Sequence, residues 1–127
     1  MNKPLAVITG AGSGIGRATS IKFQENGYKI ACLDINTQEA NKTLELINNE
    51  GVAYELDVSN SNAVKEVSKK LILDIYNPTV LINCAGISPN SMPVHLFETS
   101  EWQRVIDINL NGSFYMMKYL IPSLLKN

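Results

Sequence analysis

Cysteine is scarce in this sequence, with Cys32 and Cys84 the only two in 127 residues. Two thiols do not make the disulfide framework that holds a small secreted domain together. Basic residues form no run and the formal net charge is −1, which excludes the electrostatic footprint of a nucleic-acid or anionic-membrane partner. No apolar run reaches the roughly 20 residues needed to span a bilayer. Met1-Asn2-Lys3-Pro4 leads straight into an apolar stretch, so no signal peptide is expected. Histidine occurs once, at His95, in a loop that Pro89 and Pro93 punctuate, and a lone loop histidine is a poor catalyst candidate. No Cys/His or carboxylate cluster has the spacing of a metal site, so no metal is expected. The expectation is one soluble, cytoplasmic domain, long enough to bury a core.

Glycine, by contrast, is concentrated. Gly10, Gly12, Gly14 and Gly16 occupy four of seven consecutive positions, after the apolar run Leu5–Ile8 and Thr9 and before a helical pattern. This reads as strand, tight turn, helix. A residue without Cβ lets another group approach the backbone closely, and a helix N-terminus offers unpaired N–H groups and partial positive charge. Together they form a socket for a phosphate. The loop has no lysine and lacks the Gly-Lys-Ser/Thr ending of a P-loop.

Strand and helix patterns alternate along the chain. Strands are expected at Leu5–Thr9, Tyr28–Asp34, Ala53–Asp57 and Val80–Asn83. The first helix is expected over Ile15–Asn26, with Ile15, Ala18, Thr19 and Phe23 on one face and Gly27 as its stop. The second is capped by Asn36, has Glu39 three positions on, turns Ala40, Leu44 and Ile47 inward and ends near Asn49 with Gly51 beyond. Ser59 is the expected cap of the third, whose stripe is Val64, Val67, Leu71 and Ile75, with Asn77-Pro78 as its break. After a loop from Cys84 to Glu98, a capping box at Ser100 and Gln103 opens a long helix from about Glu101 to Leu125. Asn111-Gly112 interrupts its pattern, and Pro122 is expected to kink it.

Such alternation implies parallel strands with right-handed crossovers, and the apolar strands imply a sheet covered on both faces. The expected fold is α/β: a Rossmann-type doubly wound parallel sheet of order 3-2-1-4 in a three-layer α/β/α arrangement. That order puts Cys32 and Cys84 on opposite sides of the first strand, about 9.6 Å apart and beyond the disulfide reach of about 7 Å. Both are expected to be reduced.

Asp34 ends the second strand 18 residues after Gly16, near the spacing of the acid that accepts from an adenosine ribose. Its carboxylate repels a 2′-phosphate, and Ile35-Asn36 supplies no Arg or Lys to offset this. NAD is therefore preferred over NADP. The plainer alternative is that Asp34 is only the polar end of a strand.

Thr9-Gly10-Ala11-Gly12-Ser13-Gly14-Ile15-Gly16 resembles the Thr-Gly-x-x-x-Gly-x-Gly fingerprint of the short-chain dehydrogenase/reductase family. Asp57-Val58 resembles the family's acidic position after the third strand. Asn83-Cys84-Ala85-Gly86 resembles its Asn-Asn-Ala-Gly motif, with Cys84 replacing the second Asn. Trp102, Asn109 and Gly112 fall where its fourth helix carries them. The resemblance covers the whole chain.

It implies that Gly10, Ser13, Gly14, Ile15 and Gly16 receive the pyrophosphate and that Asp34 and Ile35 border the adenosine ribose. Asp57 would accept from the adenine amino group, with Val58 packing on the ring. Asn83 would tie the sheet edge together, and Ala85-Gly86 would admit the nicotinamide ribose. Asn109 would correspond to the catalytic Asn, whose backbone carbonyl holds a water in a proton relay.

The family's catalytic Ser and Tyr-x-x-x-Lys pair lie on later elements. Neither Tyr115 with Lys118 nor Tyr119 with Lys126 has that spacing; Tyr115 and Tyr119 read more simply as core or interface residues. The chain therefore resembles the amino-terminal half of an oxidoreductase that moves a hydride between nicotinamide and a secondary alcohol or ketone. Alone it is expected to be inactive, the alternative being a non-catalytic dinucleotide-binding module or truncated pseudoenzyme. The glycine spacing and Asn83-Cys84-Ala85-Gly86 disfavour other Rossmann classes such as methyltransferases. An unpaired fourth strand and an uncovered final helix are expected to drive homo-oligomerisation.

Overall fold

The computed structural model describes residues 3–74 and 78–127. Strands and helices alternate as β1 (Leu5–Thr9), α1 (Gly14–Glu25), β2 (Lys29–Asp34), α2 (Thr37–Leu46), β3 (Gly51–Glu55), α3 (Ser61–Asp74) and β4 (Pro78–Asn83). A 3₁₀ turn (Val94–Leu96) and α4 (Thr99–Val105) follow. A π-helical turn (Ile106–Asn111) then joins α4 to α5 (Gly112–Leu124).

The four strands form one sheet in the order β3-β2-β1-β4, all parallel. This is the expected doubly wound order. Successive side chains of a strand point to opposite faces, and β1 feeds both. Leu5 and Val7 join Ala31, Leu33, Val64, Leu71, Met116 and Leu120 on the side of α3 and α5. Ala6 and Ile8 join Ile30, Cys32, Ala40 and Ile47 on the side of α1 and α2. All of β1 is buried, as a strand covered on both faces must be. Each fully buried Leu or Ile contributes about 1.5–3 kcal/mol through lost apolar contact with water. No helix among the described residues is long and apolar enough to cross a membrane.

Local chemistry explains where the elements depart from expectation. α2 stops at Leu46, because Asn48 and Asn49 turn the chain through left-handed backbone at φ 57° and 58°, a conformation Asn tolerates better than most residues. β3 consequently begins at Gly51, opposite Ile30, and Asp57 lies beyond it. Pro78 opens β4 rather than ending α3, a position where the missing N–H does no harm. Ile75 and Asn77 lie outside the described residues.

Asn60, not Ser59, caps α3, its Oδ1 accepting from the Ala63 N–H at 3.1 Å. Asn36 caps α2 as expected, accepting from the Glu39 N–H at 3.2 Å. The box at Ser100 and Gln103 does not form: α4 begins at Thr99, and Gln103 donates to Asp107 instead. On α1 the buried positions are Gly16 and Ser20, with Phe23 packed at the edge of the core, while Ile15 and Ala18 face outward. The helix approaches the sheet on its small residues, which turns Ile15 toward the sheet's carboxyl end. Pro122 lies inside α5, two residues before its end, where it lacks the N–H that would bond the Lys118 carbonyl. Tyr115 and Tyr119 pack partly buried against the core.

Candidate functional site

The carboxyl ends of the four strands meet at one edge, and a web of hydrogen bonds fixes the loops that leave them. The buried Thr9 hydroxyl accepts from the backbone N–H groups of Cys84 at 3.1 Å and Ala85 at 3.0 Å, which joins the exit of β4 to that of β1. Gly10 has φ +61°, and a Cβ there would stand 2.9 Å from the Ala85 backbone. The Ala11 N–H donates to the Leu33 carbonyl at 3.1 Å. Its own carbonyl accepts from the Thr43 hydroxyl of α2 at 2.7 Å. Arg17 completes this anchor, donating to Thr43 Oγ1 at 3.0 Å and to Glu39 Oε2 at 3.0 Å.

α1 begins directly after the loop. Ser13 stands in the capping position with extended backbone but makes no side-chain cap bond, and the first turn holds no acidic residue. The opening amides and the positive end of the helix are therefore left for an outside acceptor. Asp34 stands beside them. Its Oδ2 accepts from the Gly12 N–H at 2.8 Å and its Oδ1 from the Asn36 N–H at 2.9 Å. Each oxygen keeps acceptor capacity for a hydroxyl.

Beyond β3, Asp57 Oδ1 accepts from both the N–H and the hydroxyl of Ser59, at 3.0 and 2.6 Å. Val58 is buried against Gly112, where a Cβ would meet Val58 Cγ2 at 2.6 Å.

The α4–α5 helix is interrupted at the π-helical turn Ile106–Asn111, slightly ahead of the expected break at Asn111-Gly112. Asn109 sits in this turn. Its Oδ1 accepts from the Ile87 N–H at 2.8 Å and its Nδ2 donates to the Ile87 carbonyl at 2.9 Å. One side chain thus closes a two-bond pairing with the loop after β4. The Ser113 hydroxyl makes a long contact, 3.4 Å, with the Asn109 carbonyl. π-turns inside helices are frequent at functional sites.

These groups surround a cavity of about 360 Å³. Gly10, Ser13, Gly14, Ile15 and Gly16 line one wall, Asp34 and Ile35 the next, then Asp57 and Val58, and Ala85 and Gly86 the far side. Of the expected cofactor residues only Asn83 is not in the lining; it is exposed, in register with Thr9. Asn109 is set back behind Ile87. Leu56, Cys84, Ile87, Arg104 and Ile108 also line the cavity and escape a sequence reading. The available signals were the place of Cys84 inside the Asn83-Cys84-Ala85-Gly86 motif and the four-residue spacing of Arg104 and Ile108. Burial pushes the Cys84 thiol up from its ordinary pKa, opposed by a hydrogen bond to Thr19. His95 is exposed on the 3₁₀ turn, away from the cavity.

Bare helix-opening amides, an acid at the end of the next strand and a cavity at the carboxyl edge of a β3-β2-β1-β4 sheet define a nicotinamide-dinucleotide-binding doubly wound unit. The chain belongs to the short chain dehydrogenase family, whose model matches residues 4–127. It is 32% identical to the (3R)-3-hydroxyacyl-CoA dehydrogenase of Rattus norvegicus, over 100% of this chain and 53% of that protein. It is 34% identical to the 3-oxoacyl-[acyl-carrier-protein] reductase FabG of Staphylococcus epidermidis, over 99% of this chain and 52% of that one. The structure resembles that of the 3-ketoacyl-(acyl-carrier-protein) reductase from Brucella melitensis complexed with NADH. The TM-score is 0.94 at 28% identity, over 99% of this chain and 52% of that one. The chain spans about half the length of the curated relatives it matches.

Proposed function

We propose that the protein is an NAD-dependent oxidoreductase acting on a secondary alcohol or ketone, and that residues 1–127 are its dinucleotide-binding half. One observation carries this reading: the residues that the family resemblance assigns to the cofactor, Asn83 apart, surround a single cavity. The opening amides of α1 hold the diphosphate. Asp34 accepts from the adenosine ribose, and its charge disfavours a 2′-phosphate. Asp57 spends one oxygen on Ser59, which leaves the other for the adenine amino group. Ala85 and Gly86 border the nicotinamide ribose, and Asn83 holds the sheet edge.

When bound, the nicotinamide supplies the hydride acceptor or donor. The chain's own contribution is positional. Asn109 fixes the loop at Ile87, and its carbonyl, in the π-turn, holds a water on the path of the substrate proton. Hydroxyacyl and oxoacyl thioesters are the first substrates to assay, after the names of the relatives. These 127 residues contain no Tyr-x-x-x-Lys, so for them alone the second reading is a dinucleotide-binding module without turnover.

The protein also self-associates through the π-turn and α5. Leu110, Phe114, Met117, Ile121 and Leu125 are all at least 40% exposed, and their spacing of three to four residues makes one apolar stripe. A cytoplasmic setting accords with the two free thiols,.

Calorimetric titration of the purified protein tests the reading. NAD is expected to bind at least tenfold tighter than NADP. Equal affinity, or tighter NADP, overturns the preference; no binding of either overturns the function. Light scattering is expected to show a dimer or larger, and a monomer at high concentration removes the self-association.

A further inference from the structure

We propose that Arg104 covers the adenine end of the cavity, its planar guanidinium lying on the face of the base, and so sets the affinity for an adenine nucleotide. The proposal deepens the cofactor reading above and rests on it.

Two cavities meet at this residue. The cofactor cavity is one; the other, of about 380 Å³, is lined by α4 and the π-turn together with Ile35, Asp57 and Ser59 from the loops after β2 and β3. Ile35, Asp57, Arg104 and Ile108 line both and so form their common boundary. The outer cavity touches none of the glycine-loop residues. Arg104 therefore stands at the adenosine end, with Ile35 and Asp57, and away from the amides that take the diphosphate.

Arg104 is the only cation in the described lining of either cavity, among the carboxylates of Asp34, Asp57 and Asp107. Its ion pair with Glu101, one turn back on α4, spans 3.8 Å between side chains that are 60% and 43% exposed. That is longer than a hydrogen bond, and such surface pairs contribute little. The guanidinium is thus free to serve a ligand. A guanidinium is planar, weakly hydrated and stacks on aromatic faces, and arginine planes are common platforms for unstacked bases. Ile35 and Ile108 supply the apolar surroundings such stacking needs, and Asp57 supplies the acceptor that reads the edge of the base.

The same cation beside Ile35 has one competing use, as a clamp for the 2′-phosphate of NADP. The two uses separate by ligand. Calorimetry on the purified protein and its R104A and R104K variants compares AMP, NAD, NADP and nicotinamide mononucleotide. Arg104→Ala is expected to weaken AMP and NAD by the same factor, about 3- to 30-fold, and to leave nicotinamide mononucleotide unchanged. Arg104→Lys keeps the charge but loses the plane, and is expected to recover less than half of that factor on a logarithmic scale.

AMP and NAD affinities within twofold of wild type in R104A overturn the proposal. So does a loss confined to NADP, or full recovery by lysine. If D34A weakens NAD and R104A does not, this proposal fails while the cofactor reading stands. If the wild-type protein binds neither AMP nor NAD, both fail.

Discussion

The backbone N–H of Gly12 donates to Oδ2 of Asp34 across 2.8 Å. This one bond ties the glycine loop, the proposed seat of the diphosphate, to the acid proposed to hold the ribose. It requires close approach: a Cβ on Gly12 would stand 2.8 Å from both Asp34 Oδ2 and Glu39 Cβ. The carboxylate is thereby oriented before any ligand arrives, and part of the ordering cost of binding is already met.

Gly12→Ala is therefore expected to push Asp34 and α2 away from the loop. The overpacking should lower stability by about 1–3 kcal/mol and weaken NAD in parallel. Asp34→Ala leaves the Gly12 and Asn36 N–H groups without their acceptor, so it too should lower stability, by about 1–3 kcal/mol, and it should weaken NAD about 10- to 100-fold. Urea unfolding and calorimetry on the same samples separate the two effects; wild-type NAD affinity in D34A would contradict the ribose role.

Asn109→Ala removes both bonds to Ile87, each worth about 0.5–1.5 kcal/mol. The loop after β4 should loosen while the π-turn persists, because that turn does not depend on this side chain. Hydrogen exchange is expected to rise at Ile87 and to stay unchanged in α5. Unaltered exchange at Ile87 would show that the pairing does not order the loop.

The two cysteines should differ in reactivity. Burial pushes the Cys32 thiol up to about 12, a hydrogen bond to Ser20 only partly opposing it. Its folded pKa lies above the unfolded value, so the neutral thiol favours the folded state. That contribution is complete below the ordinary thiol pKa and is lost as pH rises toward 12. A maleimide at pH 8 is expected to label Cys84, slowly and more slowly still with NAD present, and to leave Cys32 unmodified until the protein unfolds. Labelling of Cys32 in the folded protein at pH 8 would contradict its burial.

Glu39 carries the acid dependence. Its Oε1 meets Lys42 at 3.1 Å and its Oε2 meets Arg17 at 3.0 Å. These hydrogen bonds, that of Lys42 first, hold the carboxyl below its ordinary value. A carboxyl so lowered stabilises the fold above its ordinary pKa, and that contribution is lost as pH falls through the lower folded value. Glu39→Gln should therefore lower the urea midpoint at pH 7 and match wild type in strong acid. A gap that persists or widens in acid would locate the effect elsewhere.

The strand order was legible because four apolar runs, each closed by a polar residue, allow few arrangements under right-handed crossover. The glycine loop and Asp34 were legible because their spacing is local to one strand-helix-strand unit. What depends on side-chain direction was not. Ile15 looks like a core residue until Gly16 and Ser20 bring α1 onto the sheet and turn it outward. The end of α2 was misjudged because two asparagines adopt left-handed backbone where glycine was awaited. Arg104 went unseen because it reaches the cavity from a helix about 70 residues beyond Asp34, and only the fold brings them together. The break near Asn111-Gly112 is legible in the local pattern, but the pairing of Asn109 with Ile87 needs the loop's path, which no periodicity encodes.

A crystal structure of the protein with NAD bound tests the central claim most directly. The adenosine ribose hydroxyls should lie within hydrogen-bonding distance of the Asp34 carboxylate, with the diphosphate on the backbone amides that open α1. A ribose bound away from Asp34, or a diphosphate held by side chains elsewhere on the sheet edge, would contradict it.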